Sequence, residues 1–307
     1  MKDKLPNFVV VGFPKCGSTS LHYYLNEHPD IFMPRQKELH YFTNKILSSM
    51  TGGPGDKEVD KFHVKSFEEY KGFYKDVDSQ RAVGDVSPSY INYPSCIIEM
   101  KEKLGLNLKI IVLVRDPIKR AFSNYLHLVR EERELLDFYS ALKMEPKRKK
   151  KNYSDFWFYS FNSDYYQKIK MFKEAFQNVL LITTEDMSMS TKETIQSVYR
   201  FLDVDDKFMP ENVNRKYNEG GVFRKNLVTK FFFRQGKLRS LIKKNIPITP
   251  RMKHLKHALI NKFHEKAPEI DPIAEKFLID LFSKDVLKLE RDFQINVKLW
   301  NPKFLNS

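Results

Sequence analysis

The sequence predicts an α/β fold in which a central parallel β-sheet is flanked by helices, giving three layers. Apolar, β-branched runs typical of buried parallel strands recur along the 307 residues, at 8–12, 82–86, 109–114 and 179–183. Segments with helix-compatible spacing separate these runs, and that alternation is typical of strands joined by crossovers. The chain has no internal repeat, and its length suits one domain over 1–307.

The first strand leads into a glycine-bounded loop with the sequence Gly12-Phe13-Pro14-Lys15-Cys16-Gly17-Ser18-Thr19-Ser20. Its spacing follows the nucleotide-binding template G-x-x-x-x-G-K followed by Ser or Thr. However, Ser18 fills the lysine slot, and Lys15 lies inside the loop. The backbone amides and the N-terminus of a helix predicted from Ser18 still suit an anion. We therefore expect a P-loop-like nucleotide site without the usual magnesium-triphosphate geometry; the alternative is an ordinary strand-to-helix turn.

Local signals define three further elements. Residues 48–63, which include Gly52-Gly53-Pro54-Gly55, indicate either a surface loop or a disordered insertion. Capping boxes at Ser66-Phe67-Glu68-Glu69 and Ser190-Thr191-Lys192-Glu193 predict two helix starts.

A second candidate phosphate motif follows the strand at 109–114. Asp116 is a good N-cap and Pro117 a good first helical residue, so a helix is expected to begin there. Arg115 then lies at the carboxyl end of a parallel strand, where open α/β sheets bind ligands. With Ser123 on the same helix, its guanidinium suits a second phosphate. Alternatively, Arg115 pairs with an acid and holds the helix.

Together these segments resemble the sulfotransferases that use 3′-phosphoadenosine-5′-phosphosulfate (PAPS). The stretch Pro14 to Ser20 is similar to their 5′-phosphosulfate loop, and Arg115 to Tyr125 is similar to their 3′-phosphate motif. Matches to the heparan-sulfate-type branch, which modifies carbohydrates, extend the resemblance over almost the whole chain. These are Lys37-Glu38-Leu39-His40-Tyr41-Phe42, Gly84 to Tyr90, Val179 to Met187, and Asp285 to Glu290 followed by Trp300.

The resemblance implies transfer of a sulfuryl group from PAPS to a hydroxyl or amine, with PAP as the product and without a metal. It implies a saccharide or glycoconjugate acceptor. The residues expected to bind the donor are Lys15, Cys16, Gly17, Ser18, Thr19, Ser20, Arg115, Ser123 and, near a weaker match at 220–225, Arg224.

The resemblance also implies three catalytic residues. Lys15 is expected to stabilise the bridging oxygen between phosphate and sulfate, and Glu38 to deprotonate the acceptor. His40 is expected to orient Glu38 or touch the acceptor. The alternatives are a solvated loop carboxylate at position 38 and a packed structural histidine at position 40. Cys16 is expected to be a small loop residue rather than a nucleophile.

One segment departs from the branch pattern. Where these enzymes often carry Glu and Lys before the Ser/Thr-Pro pair, this chain has Asp85 and Val86. The departure leaves the acceptor contacts open, and a heparan-like substrate is not implied.

Composition indicates the setting of the enzyme. The two cysteines, Cys16 and Cys96, are not expected to pair, because Cys16 lies in the presumed phosphate loop. Residues 1–7 run directly into the first strand, and no apolar run of 18 residues occurs. We therefore expect a cytoplasmic enzyme of bacterial type, possessing no signal peptide or transmembrane segment.

The net charge of +14 is concentrated in two regions. The first is the run Lys147-Arg148-Lys149-Lys150-Lys151, which is either a solvated face or a binding surface. The second extends from Arg224 to Lys266 and contains Glu265 as its one acid. That region suits an anionic glycan or a membrane surface; nucleic acid is not the expected partner.

Two other functions remain open at this point. A P-loop kinase acting on a small molecule would need a lysine directly before Thr19. A non-enzymatic basic protein that binds nucleic acid or membrane would not need the grouping of Lys15, Glu38, Arg115 and Ser123.

Overall fold

The computed structural model of the chain describes residues 4–213, 222–223, 264–265 and 267–305. Its main sheet has five parallel strands in the order β2-β3-β1-β4-β5. These strands are β1 (Phe8–Gly12), β2 (Ile31–Phe32), β3 (Ala82–Val86), β4 (Lys109–Val114) and β5 (Val179–Thr183). The predicted α/β fold with a central parallel sheet is confirmed, and four strands have the predicted bounds.

Two kinds of helix surround the sheet. The α-helices in the described ranges are α1 (Ser18–Asn26), α2 (Asn44–Leu47), α3 (Asp56–Asp60), α4 (Phe67–Gly72), α5 (Cys96–Leu104), α6 (Pro117–Arg130), α7 (Phe138–Lys143), α8 (Glu145–Lys150), α9 (Tyr166–Ala175), α10 (Thr184–Met189), α11 (Thr191–Phe201) and α12 (Pro272–Phe293). Short 3₁₀ turns cover Tyr41–Thr43, Tyr90–Asn92, Asp155–Trp157, Phe161–Ser163 and Pro302–Phe304. A separate antiparallel pair joins β6 (Val222–Phe223) to β7 (His264–Glu265). In the parts of the chain that the structure describes, no helix is both long and apolar enough to cross a membrane.

The centre of the sheet is its most buried part. Every residue of β1 is buried, and Ile110 to Val114 of β4 have no exposed surface. Because helices cover both faces, these strands are apolar on both sides rather than alternating, which is why they were recognisable as continuous runs.

Helix starts follow local side-chain chemistry, with one exception. The Asp116 carboxylate accepts hydrogen bonds from the amides of Ile118 (2.9 Å) and Lys119 (3.1 Å), so it caps α6 as predicted. Ser66 caps α4 by accepting from the Glu69 amide at 3.1 Å. Helix α11 begins at Thr191, as the capping box at Ser190 predicted, although the Ser190 side chain makes no capping hydrogen bond. One residue separates α10 from α11 there, and the Ser190 amide donates back to Asp186, closing the earlier helix.

Residues 48–63 form an ordered segment that contains α3. Its anchor is Asp56, which is 3% exposed. This carboxylate accepts from the Gly53 amide (2.8 Å), the Trp157 indole (3.0 Å) and the Ser154 amide (2.8 Å), and it pairs with Arg133. The alternative of a disordered insertion is therefore wrong.

The strand order determines where a ligand site can form. Strand β1 lies between β3 and β4. After β1 the chain forms β2 and β3 on one side of β1, and it then crosses to the other side to form β4 and β5. Ligands of open α/β sheets bind beyond the carboxyl ends of strands at such a switch point. The loops after β1, β3 and β4 meet at this edge, and each carries one of the segments identified in the sequence.

Candidate active site

The loop between β1 and α1 has a backbone shape that depends on glycine. Gly17 has φ 90°, a left-handed conformation, and a Cβ there would lie 2.3 Å from Cε of Met187. Lys15 is also left-handed, with φ 69°. The amides of Ser18, Thr19 and Ser20 begin α1, where backbone N–H groups have no partner within the helix. The loop thus ends in a set of donors and a positive dipole end suited to an anion.

Lys15 adds a cation to this loop. Burial lowers the pKa of its ammonium to about 8, and the nearby charges of Arg130 and Arg120 act in the same direction, while Glu38 opposes them. A lysine surrounded by other cations is stabilised when an anion arrives. Its position therefore fits the predicted contact with a phosphate or sulfate oxygen.

Cys16 faces the interior rather than the cleft. Its side chain is fully buried, its thiol lies 3.8 Å from the Pro14 carbonyl oxygen, and its amide donates to Phe13 at 3.3 Å. Burial raises the pKa of the thiol to about 12, so it is protonated at neutral pH. Its side chain packs in the interior, which agrees with the expectation against a nucleophile, whereas the expected contact of Cys16 with the donor stays a prediction.

The second motif lies beside the first. Nη1 of Arg115, the residue after β4, donates to the carbonyl oxygen of Lys15 at 3.4 Å. Among the described residues Arg115 has no carboxylate partner within 4.0 Å, so the alternative of a helix-holding ion pair does not hold there.

A cavity of about 410 Å³ opens next to Arg115. Ser123 and Arg130 line it from α6, at positions seven residues apart that share a helix face. Residues 267–270, just before α12, form the opposite wall. Lys119 adds a third cation, and of the two carboxylates in the lining, Glu269 and Glu275, the second is paired with Lys303 at 2.6 Å. Three cations and a hydroxyl around one cavity suit an anionic ligand such as a phosphate monoester.

Side chains from the start of α10 and from the C-terminal segment hold the two motifs together. The Thr184 hydroxyl lies 3.0 Å from the carbonyl oxygens of both Cys16 and Val114. The Glu185 carboxylate accepts from the Asp116 amide and from the Trp300 indole, each at 3.2 Å. The sequence pattern had marked Glu185 and Trp300 only as parts of a resemblance, and Thr184 carried no signal.

Glu38 lies on the other side of the loop, beyond β3. Its φ is 65°, and its amide donates to Val86 at 2.9 Å. Its carboxylate pairs with Lys37 and lies 3.7 Å from Nε2 of His40. Partial burial opposes ionisation, but Lys37 and His40 outweigh it and hold the pKa of Glu38 well below its usual value. The side chain is 43% exposed, so the ionised carboxylate is accessible from solvent.

His40 is oriented by the segment after β3. Its amide donates to Ser87 Oγ at 3.2 Å, and its Nδ1 lies 2.6 Å from Ser89 Oγ. Ser89 in turn lies 2.7 Å from the Thr43 hydroxyl. This chain of hydroxyls fixes the ring so that Nε2 points to Glu38. The geometry agrees with the expected orienting role.

Asp85 is not an acceptor contact. It has no exposed surface, and it accepts from Ser87 Oγ (2.7 Å) and from the hydroxyls of Tyr70 (3.0 Å) and Tyr90 (2.9 Å). Burial raises its pKa, against the effect of these three hydrogen bonds. Asp85, where the sequence departs from the branch pattern, is therefore a buried residue that supports the segment holding His40.

The two basic regions and the question of a metal site have different outcomes. Arg224 and nearly all of the basic region from Arg224 to Lys266 lie outside the described residues. In the run 147–151, Arg148 is buried and paired with Glu134 at 2.7 Å, so this run is not wholly a solvated face. No group of three His, Cys, Asp or Glu within the described ranges is arranged to hold a metal ion.

Sequence reasoning missed His127 and Arg130, which lie on α6 near Lys15. Burial lowers the pKa of His127 well below its usual value, and Lys15 and Arg130 act in the same direction. A neutral histidine is therefore expected there. The spacing of Ser123, His127 and Arg130 on the helix was the available signal.

The family model described as "Sulfotransferase family" matches residues 6–208, which hold both phosphate motifs, Glu38 and His40. The chain belongs to the sulfotransferase family. A solved sulfotransferase from Alicyclobacillus acidocaldarius is 29% identical, with a TM-score of 0.66, over 83% of this chain and 96% of the other. The predicted enzyme class is confirmed and favoured over a kinase or a non-enzymatic basic protein.

Three curated relatives give partial matches to this sulfotransferase chain. Membrane-associated sulfotransferase kil1 of Dictyostelium discoideum is 35% identical over 39% of the chain and 22% of its own length. Human carbohydrate sulfotransferase 15 is 25% identical over 45% and 30%. Mouse heparan sulfate glucosamine 3-O-sulfotransferase 5 is 26% identical over 46% and 36%. The chain thus spans about a third or less of the length of these relatives.

Proposed function

We propose that this protein transfers a sulfuryl group from PAPS to a hydroxyl or amine of a saccharide or glycoconjugate. The observation that carries the proposal is the contact between the two motifs, in which Arg115 reaches the backbone of Lys15 at 3.4 Å. This contact places two candidate anion sites side by side, so that one donor molecule can occupy both. The loop with Lys15 receives the 5′-phosphosulfate, and the cavity with Arg115 and Ser123 receives the 3′-phosphate.

The groups on the donor side of the site carry positive charge. Gly17, Ser18, Thr19 and Ser20 present the N-terminus of α1, and Lys15 adds a cation. Arg115 keeps its guanidinium available, because no described carboxylate pairs with it. Positive charge from side chains and from the helix end thus surrounds the leaving phosphate. Arg224 stays a further proposed contact to the 3′-phosphate.

The acceptor side supplies the base. When bound, PAPS supplies the sulfuryl group, which leaves the 5′-phosphate oxygen and forms a bond with the acceptor oxygen or nitrogen. Glu38 takes the acceptor proton, and Lys15 stabilises the charge that develops on the released phosphate oxygen. His40, fixed by Ser89, keeps the Glu38 carboxylate ionised and directed at the cleft.

A saccharide acceptor is supported by the chemistry named in two relatives. One is a carbohydrate sulfotransferase and the other a heparan sulfate glucosamine 3-O-sulfotransferase. Both are distant, so the sugar and the position modified are not part of the proposal. The expected cytoplasmic location and the single domain over 1–307 also remain predictions.

The test is direct transfer of radiolabelled sulfate. Purified protein is incubated with labelled PAPS and with matched acceptors, namely a polysaccharide, a short glycoside and a phenol. Label should appear on a saccharide and should be lost with Glu38→Gln. Transfer to the phenol alone would overturn the saccharide assignment. Failure to transfer to any acceptor, together with failure to bind PAP, would overturn the donor assignment.

A further inference from the structure

Arg120, in the first turn of α6, is a buried cation without a counter-ion in the described part of the chain. Its side chain has no exposed surface. Nη2 donates to Asn124 Oδ1 at 2.6 Å, but Nε and Nη1 have no hydrogen-bond partner among the described residues. No described carboxylate lies within 4.0 Å of it. Burial lowers its pKa, and Tyr165, Cys16, Glu145 and Asp155 oppose that effect from longer range.

Two other buried arginines of this protein are each paired with a carboxylate. Arg133 is 6% exposed and pairs with Asp56 at 2.5 Å, and Arg148 is 7% exposed and pairs with Glu134 at 2.7 Å. An unpaired buried charge is strongly unfavourable, whereas a paired and hydrogen-bonded one is tolerated. Arg120 therefore lowers the stability of the free protein unless something else offsets its charge.

Arg120 is close enough to the phosphate loop for its charge to act on residues of the loop. Its charge adds to the effect of burial that lowers the pKa of Lys15, and it opposes the effect of burial that raises the pKa of the Cys16 thiol. Tyr165, which is beside Cys16 and packs on Phe13 with ring centroids 4.4 Å apart, also has a buried hydroxyl without a partner among the described residues. The interior side of the loop thus carries a buried positive charge.

We propose that Arg120 is a positioning residue whose buried charge is balanced by the anionic donor bound on the opposite face of the phosphate loop. The proposal rests on the proposed function, because the anion is the 5′-phosphate of PAPS or PAP. In a poorly screened interior, a charge acts across the loop without touching the ligand. The unpaired cation destabilises the free protein, and binding of the anionic donor offsets this destabilisation.

The experiment compares stability and binding in the full chain. Arg120→Met removes the charge at similar volume, Arg120→Lys keeps it, and Arg148→Met is the control that breaks a paired buried arginine. Melting temperature is measured without ligand, and the Kd for PAP is measured by titration calorimetry.

Arg120→Met is expected to melt no lower than the wild type and to bind PAP about tenfold more weakly. Arg120→Lys should bind PAP within about threefold of the wild type. Arg148→Met should melt lower but bind PAP with unchanged affinity. If Arg120→Met instead behaves like Arg148→Met, or fails to fold while Arg120→Lys also loses PAP affinity, the proposal is wrong.

A pH profile separates electrostatics from structure. Because Arg120 lowers the pKa of Lys15, its removal should move the alkaline loss of PAP affinity to higher pH. An unmoved profile in Arg120→Met would contradict the proposal. Absence of PAP binding by the wild type is a different result, since it overturns the proposed function itself.

Discussion

The guanidinium of Arg115 donates to the backbone carbonyl of Lys15 at 3.4 Å, so the two candidate phosphate motifs, which are 100 residues apart in the chain, lie side by side. The contact exists because β1 and β4 are adjacent parallel strands whose carboxyl ends meet. On the other side of β1, strand β3 supports Glu38 and His40. We propose that a donor bound across β1 and β4 directs its reactive end toward Glu38.

Lys15 predicts how donor binding depends on pH. Its pKa is lowered to about 8 by burial and by neighbouring cations, so the charge that attracts an anion is lost as pH rises above that value. PAP affinity should fall between pH 7 and 9.5, and Lys15→Met should show a flatter and weaker profile. Titration calorimetry at four pH values tests this. A steady wild-type affinity across the range would contradict it.

The same pKa makes a prediction for stability. The unfolded chain holds the Lys15 proton up to about pH 10.4, whereas the folded chain releases it near pH 8. The buried charge of Lys15 therefore has its full destabilising effect on the free protein below pH 8. Relative to Lys15→Met, the wild type should gain stability between pH 8 and 10. Urea unfolding of the two proteins at pH 7 and pH 9.5 measures the difference. An equal difference at both pH values would argue against the shift.

Glu38 is predicted to act on turnover and not on donor binding. A general base contributes on the order of 100-fold to 10,000-fold, so Glu38→Gln should lower kcat by at least about 100-fold with PAP affinity unchanged. Glu99→Gln is the matched control, because Glu99 accepts a hydrogen bond from Tyr41 away from the cleft. Its kcat should stay within about twofold of the wild type, because a glutamine oxygen can still accept the hydrogen bond from Tyr41. Retained turnover in Glu38→Gln would move the base elsewhere.

Ser89 is predicted to act through His40. Ser89→Ala removes the 2.6 Å contact that orients the ring. A net hydrogen-bond contribution of about 0.5–1.5 kcal/mol corresponds to a loss of roughly twofold to tenfold in kcat. PAP affinity should not change. Steady-state kinetics with saturating donor tests it, and a change confined to PAP affinity would show that Ser89 serves the donor side instead.

Asp85 is predicted to be a stability residue. Asp85→Ala leaves the hydroxyls of Tyr70, Ser87 and Tyr90 without their buried acceptor. Each unsatisfied buried group costs about 1–3 kcal/mol, so the melting temperature should drop by several degrees or more. Differential scanning calorimetry measures it. A variant with wild-type stability and altered acceptor KM would instead make Asp85 a substrate contact.

Much of this site could be predicted because its signals are local. The apolar runs of β1, β3, β4 and β5, the glycines around Lys15 and the cap at Asp116 all lie within short windows of sequence. Strand β2 was missed because it has two residues, too few for a pattern.

Other features could not be predicted because their partners are distant in sequence. Asp56 lies in a glycine-rich stretch but bonds Ser154 and Trp157, about 100 residues away. Arg120 looks like any charged helical residue, and only its complete burial and its missing partners mark it out.

The most direct test of the account is a comparison of PAP with 5′-AMP, which lacks the 3′-phosphate, in the wild type and in Arg115→Ala. Losing a charged hydrogen-bond partner costs about 1.5–3 kcal/mol, or roughly tenfold or more in Kd. By titration calorimetry, the wild type should bind PAP at least tenfold more tightly than 5′-AMP. Arg115→Ala should bind both alike and keep its melting temperature. Equal binding of PAP by both proteins, or no preference for PAP in the wild type, would contradict the account.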